Sequence, residues 1–450
     1  MQNLITEKQS GTERLNKPEI KKQFKNSDAL KFYKGSNDSL VGLEYERITL
    51  DRITLGVPEY DKVAKVIEHF AKILNWELIF DNDTIIGAKN NSGTSISLEP
   101  GLQFEISLAP KKSIVDIETE LTKIISLLDK IAKLYNIFFF EAGINPSQSD
   151  DEIKLLEKNR YKIMDKYLPL RKKGEFCPKM MRKTAGIQVN IDYKNSKDAY
   201  LKLKFFNIIS PFMTALFASS PFENGHLTRN KSNRALAWLY TGSERCNLFY
   251  KNVFEHKFGK YNNFFKNYIS EVFKVPVLFI EREGRLIPFN CAITFAEYAK
   301  NGYNGHFATY EDYILHQSLT FPNVRLKNYI EIRNHDSQNP RMALGLCAFY
   351  KGLSKCNMEN LLKHFSYLKI NDVENYDRKI ITKGLDIKIS DKTGWDIAAE
   401  LFNISRKKLS AMDRFYLEPV FEMLKSRKTT ADLIMDYNIS SVGDLVEFLE

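Results

Sequence analysis

Long apolar runs are absent from this 450-residue chain. Nothing approaches the ~20 consecutive apolar residues of a membrane span, so no membrane partner is expected. The first segment, Met1 to about Ser36, lacks the apolar stretch of a secretory signal and is rich in Lys, Asn and Gln. Residues 1–36 therefore read as a polar leader, either loosely ordered or an early capping segment. Cysteine is scarce. The five residues Cys177, Cys246, Cys291, Cys347 and Cys356 form no C-x-x-C pair, which argues against a disulfide framework and for a reducing cytoplasm. The histidines are scattered, with no H-E-x-x-H and no Cys/His cluster, which argues against zinc. No G-x-x-x-x-G-K-[ST] loop is present, nor a G-x-G-x-x-G that follows a strand and opens a helix. Any ATP used here is held by neither a P-loop nor a Rossmann turn. Internal repeats, Gly/Ser linkers and heptad arrays are missing too. The expected organisation is one catalytic domain over 37–450, with about 357–450 a mostly helical C-terminal part.

What is present begins with 43% hydrophobic residues, enough for a large core, and a net charge of +10. The basic residues are spread along the chain with no nucleic-acid motif. They read as a solvated surface, compatible with anionic substrates such as ATP.

Periodicity predicts strands at Leu40–Glu46, Thr94–Glu99, Leu102–Leu108, Gly186–Asp192, Val275–Glu281 and Val324–Arg333. It predicts helices at Asp61–Asn75, Ile114–Tyr135 and Ser196–Ser219, the last kinked by Pro211. The remainder from about Met342 reads as mostly helical, including Met358–Leu368, Trp395–Phe402, Asp413–Lys425 and Thr430–Glu450.

Four of the strand segments carry chemistry on one face. Glu44 and Glu46 lie two apart and share a face. Glu99 and Glu105 flank a Pro100-Gly101 bend, with Gln103 on the face of Glu105. Several carboxylates brought together repel strongly unless a cation neutralises them, and Mg²⁺ takes oxygen ligands and bridges carboxylates to phosphates. Gln188 and Asn190 lie opposite the apolar Ile187, Val189 and Ile191. Their amides suit an amino-acid or nucleotide ligand, and equally a strand face turned to water. Read as one strand, Val324–Arg333 puts Arg325, Lys327, Tyr329, Glu331 and Arg333 on one side. The guanidinium fork matches carboxylate and phosphate; a cross-strand ion-pair ladder is the plainer alternative. Pattern alone selects neither Arg234 nor Arg245.

In order and spacing these segments resemble the glutamate–cysteine ligases of the plant and proteobacterial type, over about residues 40 to 350. The family's G-x-E-x-E is matched by Gly42–Glu46. Its S-L-E-P-G-G-Q-F-E is matched by Ser97–Glu105, with Leu102 for the second glycine. T-x-x-V-Q-V-N-L-D corresponds to Thr184–Asp192, and A-L-F-A-N-S-P-F to Ala215–Phe222. Ser232, Arg234, Trp238 and Arg245 match S-x-R-x-x-x-W and its following Arg, and Phe321–Asp336 matches F-P-x-V-R-L-K-x-Y-x-E-x-R-x-x-D. The family's M-M-L-R reads Met180-Met181-Arg182-Lys183 here, leaving Arg182 or Lys183 to supply that charge. The family's regulatory cysteines have no evident counterpart.

The resemblance implies an α+β, glutamine-synthetase-like fold: a curved, mainly antiparallel sheet forming a funnel, with helices packed outside. It implies ligation of the glutamate γ-carboxylate to the cysteine amine through γ-glutamyl phosphate, the first step of glutathione biosynthesis, with ATP and Mg²⁺ as cofactors. Glu44, Glu46, Glu99, Glu105 and Glu331 become expected Mg²⁺ ligands. Arg333 becomes the γ-phosphate contact and Arg234 the glutamate clamp. Gln188, Asn190, Gln103, Arg245 and Arg325 become ATP or substrate contacts. The expected partners are glutamate, cysteine and ATP, with a monomer or homodimer as the assembly. The alternatives are a γ-glutamyl ligase for another amine and a non-catalytic nucleic-acid-binding protein, the latter disfavoured because the acids would repel a phosphate backbone.

Overall fold

The structure, a computed structural model, describes residues 23–36, 39–246, 253–254, 261, 263–290, 292–437 and 439–449. Residues 1–22 of the expected leader and Cys291 lie outside them.

Nine strands form the main sheet. In chain order they are β1 (Val41–Asp51), β2 (Glu77–Asp81), β3 (Thr84–Lys89), β4 (Ser95–Leu98), β5 (Phe104–Ser107), β6 (Ile137–Phe140), β7 (Gly186–Ile191), β8 (Val324–Leu326) and β9 (Ile330–Asp336). Their order across the sheet is β8-β9-β7-β1-β5-β4-β3-β2, and β6 pairs with the far half of β1. Every pairing is antiparallel. The expected α+β class with a mainly antiparallel sheet is what the chain adopts.

The alternation along the strands decides what faces what. Leu43, Tyr45, Ile96, Leu98, Phe104, Ile106, Ile187, Val189, Ile330 and Ile332 are buried in one core cluster. Helices cover that face: α1 (Tyr60–Leu74) and α2 (Ile114–Leu134) pack on each other, and α5 (Ser196–Leu216) and α7 (Pro340–Ser354) lie against β9 and β7. The apolar stripe of α2 (Ile117, Leu121, Ile124, Leu128 and Ile131) is the buried one. The helix α8 (Gly394–Lys408) packs on α7, so the C-terminal part shares this core. Smaller helices that bound the site are α3 (Asn159–Tyr167), α4 (Cys177–Lys183) and α6 (Asn233–Leu239).

Several expectations are corrected. The segment Val324–Arg333 is a hairpin, not one strand: Lys327–Tyr329 turn the chain, and Arg325 ends opposite Glu331. The first strand runs on to Asp51 because Ile48 and Leu50 are buried against β6. Strands β2, β3 and β6 were not anticipated. The strand expected at Val275–Glu281 is confined to Phe279–Arg282, and Thr430–Glu450 divides into Thr430–Asp436 and Val442–Leu449. The α5 helix continues through Pro211, and the Asn207 carbonyl that Pro211 cannot serve accepts from Ser210 Oγ at 3.1 Å. The described end of the leader, from residue 23, packs on the core, which agrees with the capping alternative. Phe24 packs on Phe273 and Phe295, and Tyr33 is buried with its hydroxyl 2.5 Å from that of Tyr313. Among the described residues no helix is long and apolar enough to cross a membrane.

Candidate active site

The polar face of the sheet delivers the acids. On β1, Glu44 and Glu46 point away from the core, and the register sets Glu46 opposite Glu105 of β5 and Glu44 opposite Gln188 of β7. Asn190 lies opposite Glu331 of β9. Glu99 enters from the bend between β4 and β5, where Leu102 N–H donates to its carbonyl at 3.0 Å. Glu44, Glu46, Glu99, Glu105, Gln188, Arg325 and Arg333 line one cavity of about 320 Å³. Burial raises the carboxyls of Glu44, Glu46, Glu99 and Glu105 above their ordinary range. Neighbouring acids add to this at all four, with nearby cations opposing it at Glu99.

Specific bonds hold these acids in place. Glu46 accepts from Gly186 N–H at 2.6 Å and from Gln188 Nε2 at 3.0 Å. Asn190 Nδ2 donates to Glu44 at 2.8 Å, and Ser107 Oγ to Glu105 at 2.7 Å. A Cβ at Gly186 would lie 2.8 Å from the His335 carbonyl oxygen and 2.4 Å from Arg234 Nη2, so glycine leaves room for both.

Glu331 does not line that cavity but sits against two cations that do, Arg325 and Arg333, and differs in charge state. It is fully buried, yet its carboxyl is held well below the usual range by Arg325, Lys327 and Arg333 against the cost of burial. Its oxygens lie 2.5 Å from Arg325, 3.1 Å from Lys327 and 3.2 Å from Arg333. The Arg333 guanidinium lies over the rings of Trp238 and Phe321, at 5.3 and 5.8 Å. Arg234 is buried at the start of α6, donates from Nη2 to the Arg333 carbonyl at 2.9 Å, and feels the charges of Asp336 and Glu46. Asp336 in turn accepts from Ser219 N–H and from the hydroxyls of Ser220 and Ser232, fixing three chain segments behind Arg234. The strand β9 reaches Asp336 through a register shift between Ile332 and His335. Gln338, just beyond, accepts from Thr430 Oγ1 at 2.7 Å, and Ala431 N–H reaches the Ala218 carbonyl at 3.0 Å.

Other expected contacts have different tasks. The Gln103 amide borders the cavity but is engaged by backbone, accepting from Gly101 N–H and donating to Met181 and Thr184 carbonyls. Arg325 spends its fork on Glu331 and on the Ser318 and Thr320 carbonyls, so it braces Glu331. Arg245 is not brought to the cavity: fully buried, it donates to the carbonyls of Leu319 and Pro276. Neither Arg182 nor Lys183 supplies a free charge. Arg182 grips Asp165 with both Nη atoms, and Lys183 pairs with Glu223 and Asn224. The sequence reading missed Lys158, Arg160 and Tyr161, which form the wall beside Glu99. The only signal for them was a Lys-Asn-Arg-Tyr run at a helix start.

The donor set suits a hard divalent cation. It is all oxygen, acid-rich, and includes the buried Gln188 Oε1 and Asn190 Oδ1, which lack hydrogen-bond partners. Among the described residues, however, no three His, Cys, Asp or Glu groups close around one point as a ready metal nest. The acids border the cavity instead of meeting in it.

The fold and the cavity define a ligase-type enzyme with an acid-lined antiparallel sheet. The architecture is shared with a solved glutamate–cysteine ligase from Francisella tularensis, described in complex with AMP: TM-score 0.54 and 14% identity over 90% of this chain and 85% of that one. The profile of "Glutamate-cysteine ligase family 2 (GCS2)" matches residues 40–442, and the chain belongs to that family. Relatives include the chloroplastic glutamate–cysteine ligases of Nicotiana tabacum, 29% identical over 88% of this chain and 76% of that protein, and of Arabidopsis thaliana, 29% identical over 90% and 78%. Their names correct the cytoplasmic expectation, since these relatives are plastid proteins.

Proposed function

We propose that the protein joins the γ-carboxylate of glutamate to the amine of cysteine with ATP, forming γ-glutamylcysteine, ADP and phosphate in the first step of glutathione biosynthesis. The observation that carries this reading is the facing of Glu44, Glu46, Glu99 and Glu105 and of Arg333 into one cavity of a family member. The glutamate carboxylate takes the γ-phosphoryl group of ATP; the amine then attacks the acyl carbon and phosphate leaves. Arg333, held flat by Trp238 and Phe321, meets the transferring phosphoryl oxygens where negative charge develops. Arg234, braced through Asp336, holds the donor amino acid. Glu44, Glu46, Glu99 and Glu105, with Gln188 and Asn190 beside them, would hold Mg²⁺. Bound there, the ion neutralises the acids and the phosphate oxygens they face. Glu331 is the anion that aligns Arg325, Lys327 and Arg333. The shared core of α7 and α8 supports reading 37–450 as one catalytic domain.

Incubation with ATP, Mg²⁺, glutamate and a panel of amino acids, followed by nucleotide analysis and product mass, tests the reading. The expected products are ADP, phosphate and γ-glutamylcysteine. AMP with pyrophosphate, or no product with any amine, overturns it. Another preferred amine would keep the reaction class and replace the acceptor.

A further inference from the structure

Trp238 carries both arginines of the mechanism. The guanidinium of Arg333 lies over its ring at 5.3 Å and that of Arg234 at 5.8 Å. With Phe321 and Arg333, Trp238 also forms a partition. These three residues line the acid-bordered cavity on one side and a second cavity of about 30 Å³ on the other. Arg234, Asn334 and Asp377 line only the small one. Arg333 and Asn334 are consecutive and both reach it, which regular alternation forbids and the register shift between Ile332 and His335 allows.

Three buried polar atoms of this lining have no hydrogen-bond partner among the described residues: Trp238 Nε1, Arg234 Nε and Asn334 Oδ1. Arg234 and Asn334 are 3% and 4% exposed, and polar atoms so placed are costly to leave unpaired. Asp377 reaches the cavity from the helix Val373–Lys383, and one of its oxygens accepts from Asn323 Nδ2 at 3.4 Å. The Asn323 carbonyl in turn accepts from Arg333 N–H at 3.0 Å. Chemistry and size together select the occupant. Two of the unpaired atoms are N–H donors and the third is a bare acceptor. A cation cannot accept from Trp238 and Arg234, and an anion cannot donate to Asn334. One water needs about 10–15 Å³ of such volume, so the cavity takes one or two and excludes an amino acid or a phosphate.

We propose that the small cavity holds a fixed water bonded to Trp238 Nε1, Arg234 Nε and Asn334 Oδ1, and that Asp377 is a positioning residue acting through it. A water accepts twice and donates twice: from Trp238 and Arg234, and to Asn334 and Asp377. Asp377 touches no substrate. It sets the indole ring by its one polar atom, and the ring sets the two guanidinium groups that lie over it. The inference rests on the ligase reading above, which gives Arg333 the phosphoryl group and Arg234 the donor amino acid.

A crystal structure of the parent enzyme, which needs no variant, should show one ordered water within about 3.2 Å of Trp238 Nε1, Arg234 Nε and Asn334 Oδ1. A dry cavity, or an indole N–H bonded elsewhere, overturns the proposal. Kinetics then test Asp377. D377L should lower kcat/KM for glutamate about 3- to 10-fold, the worth of one net hydrogen bond, and D377N, which keeps a polar partner for the water, should recover most of it. In a W238F background, which keeps a ring and removes the N–H, D377L should cost less than about twofold more. Equal losses in both backgrounds would mean that Asp377 does not act through Trp238, and overturn the proposal. The chain has three tryptophans, so the indole N–H signal missing from the NMR spectrum of W238F identifies Trp238. D377L should move that signal and leave the other two in place; an unmoved signal also overturns the proposal. A parent enzyme that forms no ADP with any amine sinks the ligase reading alone, since the water and the indole signal are read without turnover.

Discussion

Replacing Glu331 with glutamine should destabilise the protein by about 3–5 kcal/mol, the usual cost of removing one member of a buried ion cluster. Glu331 has no exposed surface, and Arg325, Lys327 and Arg333 all reach its two oxygens. Glutamine keeps the size and one acceptor but removes the charge, so three buried or half-buried cations face one another without an anion between them. Unfolding entropy of about 2 cal/mol/K per residue gives about 0.9 kcal/mol/K for a chain of 450 residues. The stability loss then converts to a melting shift of about 3–6 °C. Calorimetry of parent and variant at neutral pH measures it. Because the cluster is shielded from solvent, about 0.5 M salt should change the difference little, unlike an exposed pair. Turnover should fall as well, since Arg333 loses the carboxylate that orients it. A variant that melts within about 1 °C of the parent would refute the reasoning, by showing that the three cations find other acceptors.

Arg333→Ala should lower kcat by roughly 10²–10³ with little change in KM for glutamate, because its donors act where phosphoryl charge develops; near-parental turnover would make Arg333 structural. Burial and neighbouring acids raise Glu44 and Glu105 to about 7 and Glu46 to about 8 in the metal-free protein. The folded state thus binds more protons than the unfolded one between the ordinary carboxyl range and pH 8, so stability without divalent cations should fall as pH rises through that window. Melting curves across pH would show it, and Mg²⁺ with ATP should flatten the slope; a metal-free protein that gains stability toward pH 8 contradicts the prediction. Leu102 occupies a left-handed conformation, φ 64°, with its side chain buried. Leu102→Gly relieves about 1–2 kcal/mol of backbone strain but forfeits about 2–5 kcal/mol of packing. A net loss is therefore expected in chemical denaturation, and a gain would show the strain to dominate.

Sequence pattern revealed the parts of this protein where alternation is clean. Glu44 and Glu46 share a face because they lie two apart on a strand, and the structure turns the alternate residues Leu43 and Tyr45 into the core. The same rule failed at Lys327–Tyr329, where alternation continues through a turn that carries no Gly or Pro. Strand β6 is four consecutive apolar residues, all buried, and such a run has no period to read. The tasks of Gln103, Arg245 and Arg325 depend on carbonyls from distant loops, which no spacing encodes. No motif marks Lys158 and Arg160, since lysine and arginine at a helix start ordinarily face water. The ties from Leu156 to Pro100 and from Tyr161 to Leu98 set them beside Glu99.

The order of strands across the sheet also sets the order of events during synthesis. The central strand β1 is made first, while its neighbour β7 comes near the middle of the chain and β9 much later. A nascent chain therefore carries the acids of β1 and β5 for most of translation without Arg333 across from them. One edge of β1 stays unpaired until β7 is made, a template for mispairing in the interval. The tethers from Thr430 to Gln338 and from Ala431 to Ala218 arrive later still. An amino-terminal fragment that stops short of β9 thus carries the acids of the cavity without Arg333, and the lining of the cavity is complete only once β9 has been made.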